Sequence, residues 1–336
     1  MKYALILLVI FMSFLLSCKK EEDLYLNHVD VSSCKQMLYV RSKQYSNPYM
    51  GTLSTNSVTP PQTIYPEKYC YWFPCTNPSN EYEFCYCRMS NTSPSLIDMD
   101  LFTFNFCSGK TNLVSSKLRG RPDWSSQNWI IFSGNDANLW KIKPNGDSLI
   151  QLSNSGNDFF AKWSPNGERY VFNGSGIAIK NGNVVSELPT HCSSCLWKND
   201  SILIGGIESS NAKEYQIYEQ NVNTLSSRLI TKIPMYGTGN MLDLKVNTAY
   251  FYVSNPDNSG TNKYFSLDLS SLDTVVLQTL PQSFSQFWAL NGRNKIILQQ
   301  VLRDTMTGNP SKLNYRSHIA IMDLDYRNER QVLIPE

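Results

Sequence analysis

The chain has 336 residues, 41% hydrophobic and 12% aromatic, with 17% charged and a formal net charge of +2. So little net charge predicts no polyanion and no nucleic acid as partner. Three histidines, His28, His191 and His318, are too few and too scattered for a histidine-rich metal or acid–base centre, and no metal or other cofactor is expected.

The first element, residues 1–17, reads as a signal peptide. Lys2, the apolar run from Ala4 to Leu16 and the end Leu15-Leu16-Ser17-Cys18 give the charged start, short apolar core and small residue of a secretory leader. The run is too short to cross a bilayer as a helix. The Leu-Leu-Ser-Cys end resembles a bacterial lipobox, which implies that Cys18 carries acyl chains such as palmitate and becomes the first residue of the mature protein. At ~0.8 kcal/mol per buried CH₂, several chains on one residue hold a protein on a membrane without a spanning segment. An ordinary leader with a coincidental Cys is the other reading.

Residues 18–30 then form a charged tether. Lys19-Lys20-Glu21-Glu22-Asp23 resembles the acidic export signal of Bacteroidetes surface lipoproteins, which implies an outer-membrane lipoprotein exposed at the cell surface. A solvated spacer on a periplasm-facing protein is the alternative. Four tripeptides, beginning at Asp147, Asp200, Asp273 and Asp304, also resemble the O-glycosylation site of that phylum, although such tripeptides arise easily by chance.

Residues 31–66 make a Cys-containing segment, turning Pro-rich at Thr59-Pro60-Pro61, that caps a rim or adds a strand to an edge. Besides Cys18 the chain has Cys34, Cys70, Cys75, Cys85, Cys87, Cys107, Cys192 and Cys195, an even number for an oxidising compartment, so disulfides are expected with the pairing open. Zinc at Cys70, Cys75, Cys85 and Cys87 is the runner-up. Cys192-Ser193-Ser194-Cys195 has Cys-x-x-Cys spacing, but it leads into a strand rather than opening a helix, which favours a structural link over redox activity; His191 beside it keeps that activity open.

From residue 67 to 336 the sequence repeats. Trp163-Ser164-Pro165-Asn166-Gly167 runs into Arg169-Tyr170-Val171-Phe172, and Trp124-Ser125-Ser126-Gln127-Asn128 runs into Trp129-Ile130-Ile131-Phe132. Each reads as a strand ending in an aromatic, a polar turn and a β-branched strand. Trp197, Leu244 and Trp288 anchor further copies, and Trp72 is taken as the first anchor. Each interval holds two more strands, so six units of four strands predict an all-β, six-bladed β-propeller of antiparallel blades. Trp124, Trp163, Trp197 and Trp288 are assigned to packing between repeats.

At these residues the chain resembles the TolB-like (WD40-like PD40 repeat) propeller family, whose repeat reads Trp-Ser-Pro-Asp-Gly; Asn166 stands where that pattern has Asp. The resemblance is specific for fold and implies no activity.

No Gly-x-Ser-x-Gly elbow or phosphate-binding loop occurs, and the sequence ends at Glu336, where no catalytic domain is expected to follow. The expectation is therefore a non-catalytic module on the outer membrane that binds protein or glycan. Trp140 and the stretches at Tyr69–Trp72 and Tyr250–Tyr252 are candidate presenters of aromatic rings, with core packing as the plainer assignment. The alternative is a hydrolase or lyase acting on polysaccharide through channel carboxylates, with Asp100, Asp243, Asp268 and Asp323 as candidates. Unpaired carboxylates in the channel would favour the enzyme; a neutral face rimmed by aromatics would favour binding.

Overall fold

The computed structural model describes residues 69–331 apart from 91–97, 106–107, 109, 174–176, 182–183, 189–193, 210, 212, 236–237, 246, 255, 257–260, 282–283, 288–294, 307–308 and 324–329. The leader, Cys18, the tether, Cys34, Cys107, Cys192 and Trp288 therefore lie outside the described residues. All helix or strand among those described is β-strand.

The strands pair in chain order and always antiparallel. β1 (Tyr69–Asn77), β2 (Asn80–Ser90) and β3 (Met99–Asn105) are completed by the first half of β4 (Thr111–Trp124). The second half of β4 opens the next set with β5 (Ile130–Gly134), β6 (Leu139–Ile142) and β7 (Ile150–Gln151). The third set is β8 (Phe159–Trp163), β9 (Arg169–Asn173), β10 (Ile177–Asn181) and β11 (Val184–Glu187). The fourth is β12 (Ser194–Asn199), β13 (Ile202–Ser209), β14 (Glu214–Asn221) and β15 (Ser226–Pro234). The fifth is β16 (Gly239–Lys245), β17 (Thr248–Ser254), β18 (Thr261–Asp268) and β19 (Thr274–Pro281). The last is β20 (Phe284–Phe287), β21 (Lys295–Met306), β22 (Asn309–Asp323) and β23 (Arg330–Gln331). These are the four-stranded units expected from the repeat. β1 packs against β21 and β22, so the last sheet meets the first.

The core lies between the sheets, because strand alternation gives each blade two apolar faces. Trp163 and Tyr170 of the third blade, ring centroids 5.3 Å apart and edge to face, pack on Ile131 and Leu139 of the second. Val171 and Leu188 of the third meet Leu203 and Val222 of the fourth. Between the fourth and fifth, Tyr215 lies against two glycines: a Cβ on Gly206 would stand 1.8 Å from its hydroxyl oxygen, and one on Gly239 2.3 Å from its Cδ2.

Register corrects the first anchor. Trp124, Trp163, Trp197 and Leu244 stand opposite Ile130, Tyr170, Leu203 and Ala249 at the ends of the first strands. In β1 that place belongs to Thr76, opposite Phe84. Trp72, four residues earlier, is followed by more strand and not by the turn, which is Pro78-Ser79 after Asn77. An aromatic was sought where the blade uses Thr.

Candidate functional site in the central channel

The turns after the anchors explain the polar half of the repeat. Asn128 and Gly167 take left-handed backbone at φ 60° and 73°. Ser125 and Ser164 close the turns, each hydroxyl accepting a backbone N–H, from Trp129 and Arg169, at 3.0 Å. Asn166 closes the turn because an amide oxygen suffices there: its Oδ1 accepts the Ser164 hydroxyl at 2.7 Å and the Glu168 N–H at 3.0 Å. Successive turns are also hydrogen-bonded to one another. Ser79 Oγ donates to the Ser126 carbonyl (3.2 Å), Ser126 Oγ to that of Pro165 (2.7 Å), and the Asn166 N–H to the Asp200 carboxylate (2.9 Å). Four blades are latched along one rim.

Inside that rim is a cavity of about 270 Å³ lined by the first strands. The residue before each anchor faces it: Cys75, Asp123, Lys162, Leu196 and Asp243. Asp123 and Lys162 form an ion pair at 2.8 Å, with 14% and 32% of their side chains exposed. The second Asp123 oxygen accepts the Trp163 backbone N–H at 2.7 Å, and the Cys75 thiol lies 3.7 Å from Oδ1. Burial opposes the Lys162 charge, but Asp123 outweighs it and holds the ammonium well above its ordinary range. Asp243 Oδ1 accepts the Leu244 N–H at 2.7 Å.

A second, smaller cavity of about 60 Å³ continues from Lys162 and is walled by Phe73, Arg121 and Phe160. These three residues occupy one position, three before Thr76, Trp124 and Trp163. All three have left-handed backbone, at φ 53°, 51° and 55°, beside register shifts in β1, β4 and β8. Bulky side chains rarely adopt that conformation. Here it turns one extra residue of each strand into the channel. The Arg121 guanidinium is held between rings, 4.1 Å from the Phe160 centroid and 5.7 Å from that of Phe73. Gly120 makes the space: its φ is +103°, and a Cβ would stand 2.6 Å from both Phe73 Cε2 and Met99 Cε.

Of the four carboxylates singled out in the sequence, the three whose side chains are described do not converge. Asp243 lines the larger cavity. Asp268 caps its own turn, accepting the Ser270 and Ser271 N–H groups at 2.7 and 3.0 Å, and these bonds lower its pKa. Asp100 lies opposite Arg88 on β3, an interior strand of its blade. The Asp323 side chain lies outside the described residues. Asp123, which the sequence reading passed over, is the second channel carboxylate; its signal was its place immediately before the anchor Trp.

Trp124 is 4% exposed and donates Nε1–H to Asn128 at 3.0 Å; Trp197 is half-buried and donates to the Lys162 carbonyl at 3.0 Å. Trp140 is half-buried over the core of the first two blades and bonds Asp136. Phe251 and Tyr252 are buried, so neither is presented to a ligand.

Among the described residues Cys75, Cys85 and Cys87 are free thiols with no disulfide between them, where disulfides were expected; the Cys70 side chain, like Cys34, Cys107 and Cys192, lies outside the described residues. Cys75 and Cys85 stand directly opposite each other. Burial, then the neighbouring Cys75 thiol, pushes the Cys85 pKa well up, and burial, then Asp100, does the same for Cys87.

No protein-family model matches the sequence, and no curated protein does. Solved structures do match in fold. TolB from Acinetobacter baumannii is 14% identical over 63% of this chain and 54% of its own, with a TM-score of 0.49. Uncomplexed Pyrococcus horikoshii acylaminoacyl peptidase is 12% identical over 79% of this chain and 52% of its own, at 0.50. The β-propeller domain of the trilobed protease from Pyrococcus furiosus is 12% identical over 76% and 83%, at 0.47. The fold is a β-propeller. The chain spans about half the length of that TolB and that peptidase, and likeness at this identity concerns the fold alone.

Proposed function

We propose that this TolB-like propeller is a non-catalytic binding module, held at the outer membrane by lipid on Cys18 and exposed at the cell surface in the manner of Bacteroidetes lipoproteins, and that it takes a protein or glycan partner at the mouth of its channel. The observation that carries the reading is the state of the channel charges. Asp123 is spent on Lys162 and the Trp163 N–H, while the neighbouring cavity presents an arginine between two phenylalanine rings. General acid–base cleavage of a glycoside needs two carboxyl groups free to exchange protons across the bond; a neutral pair beside an aromatic wall suits recognition. The second reading, a hydrolase or lyase on polysaccharide, draws on Asp243 sharing the cavity with Asp123.

In this location Cys75 and Cys85, opposed in register, are the pair expected to close as a disulfide by exchange with an external disulfide. The experiment on function is mild crosslinking of surface-labelled cells followed by purification of the anchored protein. One stoichiometric partner recovered with the parent and lost with Phe160→Ser supports the reading. Depolymerisation of a polysaccharide by the purified parent, abolished by Asp243→Asn, overturns it.

A further inference from the structure

Arg121 enters the reading above only through the rings that flank it, and its hydrogen-bonding capacity is left unassigned. Its planar guanidinium has five N–H donors, yet among the described residues it makes no hydrogen bond and no ion pair; its neighbours are the faces of Phe73 and Phe160. Burial lowers its pKa from the ordinary value. Lys162, which lines the same cavity, is already paired with Asp123. The strained backbone at all three positions aims this arginine and its two rings into one small cavity, where Asn173, Ser194 and Asn240 add polar groups. Left-handed backbone at bulky residues persists only where the surroundings hold it, and it concentrates at ligand clamps.

We infer that Arg121 is a carboxylate receptor and that the occupant is an acidic protein segment, which brings an Asp or Glu side chain or a C-terminal carboxylate into the small cavity onto the guanidinium that Phe73 and Phe160 hold. A carboxylate matches the guanidinium fork two bonds at a time, and bonds between charged partners in a desolvated site are the strong ones. Size selects the source. By the measure in which one water needs ~10–15 Å³, a cavity of about 60 Å³ takes a carboxyl group with its adjoining methylenes but not a pyranose ring. Phe160, 40% exposed at the rim, suits apolar neighbours on the inserted segment.

The inference rests on the binding-module reading, and the test separates the two. Calorimetry of the full chain in detergent uses two blocked tripeptides as probes, Leu-Glu-Leu and Leu-Gln-Leu, with glucuronic acid as a third. The expected result is binding of the glutamate peptide at least tenfold tighter than the glutamine peptide, a preference that shrinks with added salt, disappears in Arg121→Gln and survives in part in Arg121→Lys. Thermal melts of both variants establish that they fold; if Arg121→Gln does not, Arg121→Lys and the salt dependence carry the test. Equal binding of both peptides overturns the carboxylate receptor and leaves the binding module standing. Binding of glucuronic acid alone overturns the protein occupant. No binding of any probe overturns the inference, while the crosslinking experiment still decides the broader reading.

Discussion

Asp123 and Lys162 join the second blade to the third through a single carboxylate, which takes the ammonium on one oxygen and the Trp163 backbone N–H on the other. Removing the carboxylate strands a partly buried cation and a backbone donor together. Asp123→Ala is expected to lose about 2–3 kcal/mol, less than a fully buried pair would because Lys162 keeps water contact. Lys162→Met should lose less, since its long apolar stem is replaced in kind. Urea denaturation of both singles and the double measures the coupling, and additivity would contradict a direct pair.

The tryptophan anchors differ in what their indole N–H does. Among the described residues the buried Trp163 Nε1 has no acceptor, whereas the Trp197 indole serves the Lys162 carbonyl. Trp163→Ala should therefore cost roughly 3–5 kcal/mol through lost packing, and Trp163→Phe under about 1.5 kcal/mol because no bond is lost. Trp197→Phe, which removes the indole bond to the Lys162 carbonyl, should be the costlier of the two Phe variants. Equal costs for the two Phe variants would argue against this division.

Two glycines are required by close approach. Gly120→Ala adds a methyl where Phe73 and Met99 already stand and strains a φ of +103°. Gly206→Ala drives a methyl into the Tyr215 hydroxyl. Each should lower stability by about 1–3 kcal/mol or more, and Tyr215→Phe in the Gly206→Ala background should restore part of that loss. Melting temperatures of the three proteins decide it.

Reduced protein should weaken in alkali. Cys85 and Cys87 titrate above their unfolded value in the native chain, so once pH passes about 8.5 the unfolded chain has released protons that the folded chain still binds. Their contribution is complete below that pH and declines above it. Urea midpoints at pH 7 and about pH 9.5 should differ, the higher pH giving the lower midpoint. With oxidised glutathione at neutral pH, Cys75 should be modified before Cys85, because Cys85 is buried and held protonated. Mass mapping against time checks the order.

The fold was legible because the turn chemistry recurs: Trp, then Ser, then Asn or Gly mark a strand end, a hydroxyl closure and a left-handed residue, as Trp163, Ser164 and Gly167 do. The first anchor, but not the later strands of its blade, was misplaced by four residues because it is Thr76, which no aromatic periodicity finds. The site was less legible. Asp123 could be found by asking what precedes each anchor, since that residue faces the channel in five blades. Phe73, Arg121 and Phe160 could not, because their role comes from left-handed bulges that place them there and no side-chain preference marks a bulge at Phe or Arg.

β4 runs unbroken for 14 residues from the outer edge of one blade to the inner edge of the next, so these two sheets share a spine, whereas the other sheets have no strand in common. Hydrogen-bonded segments that share one strand open together. The part of the rim formed by these two blades, carrying Phe73 and Arg121, is thus expected to behave as a stator, with any breathing that admits a partner to the channel falling at the seams beyond it.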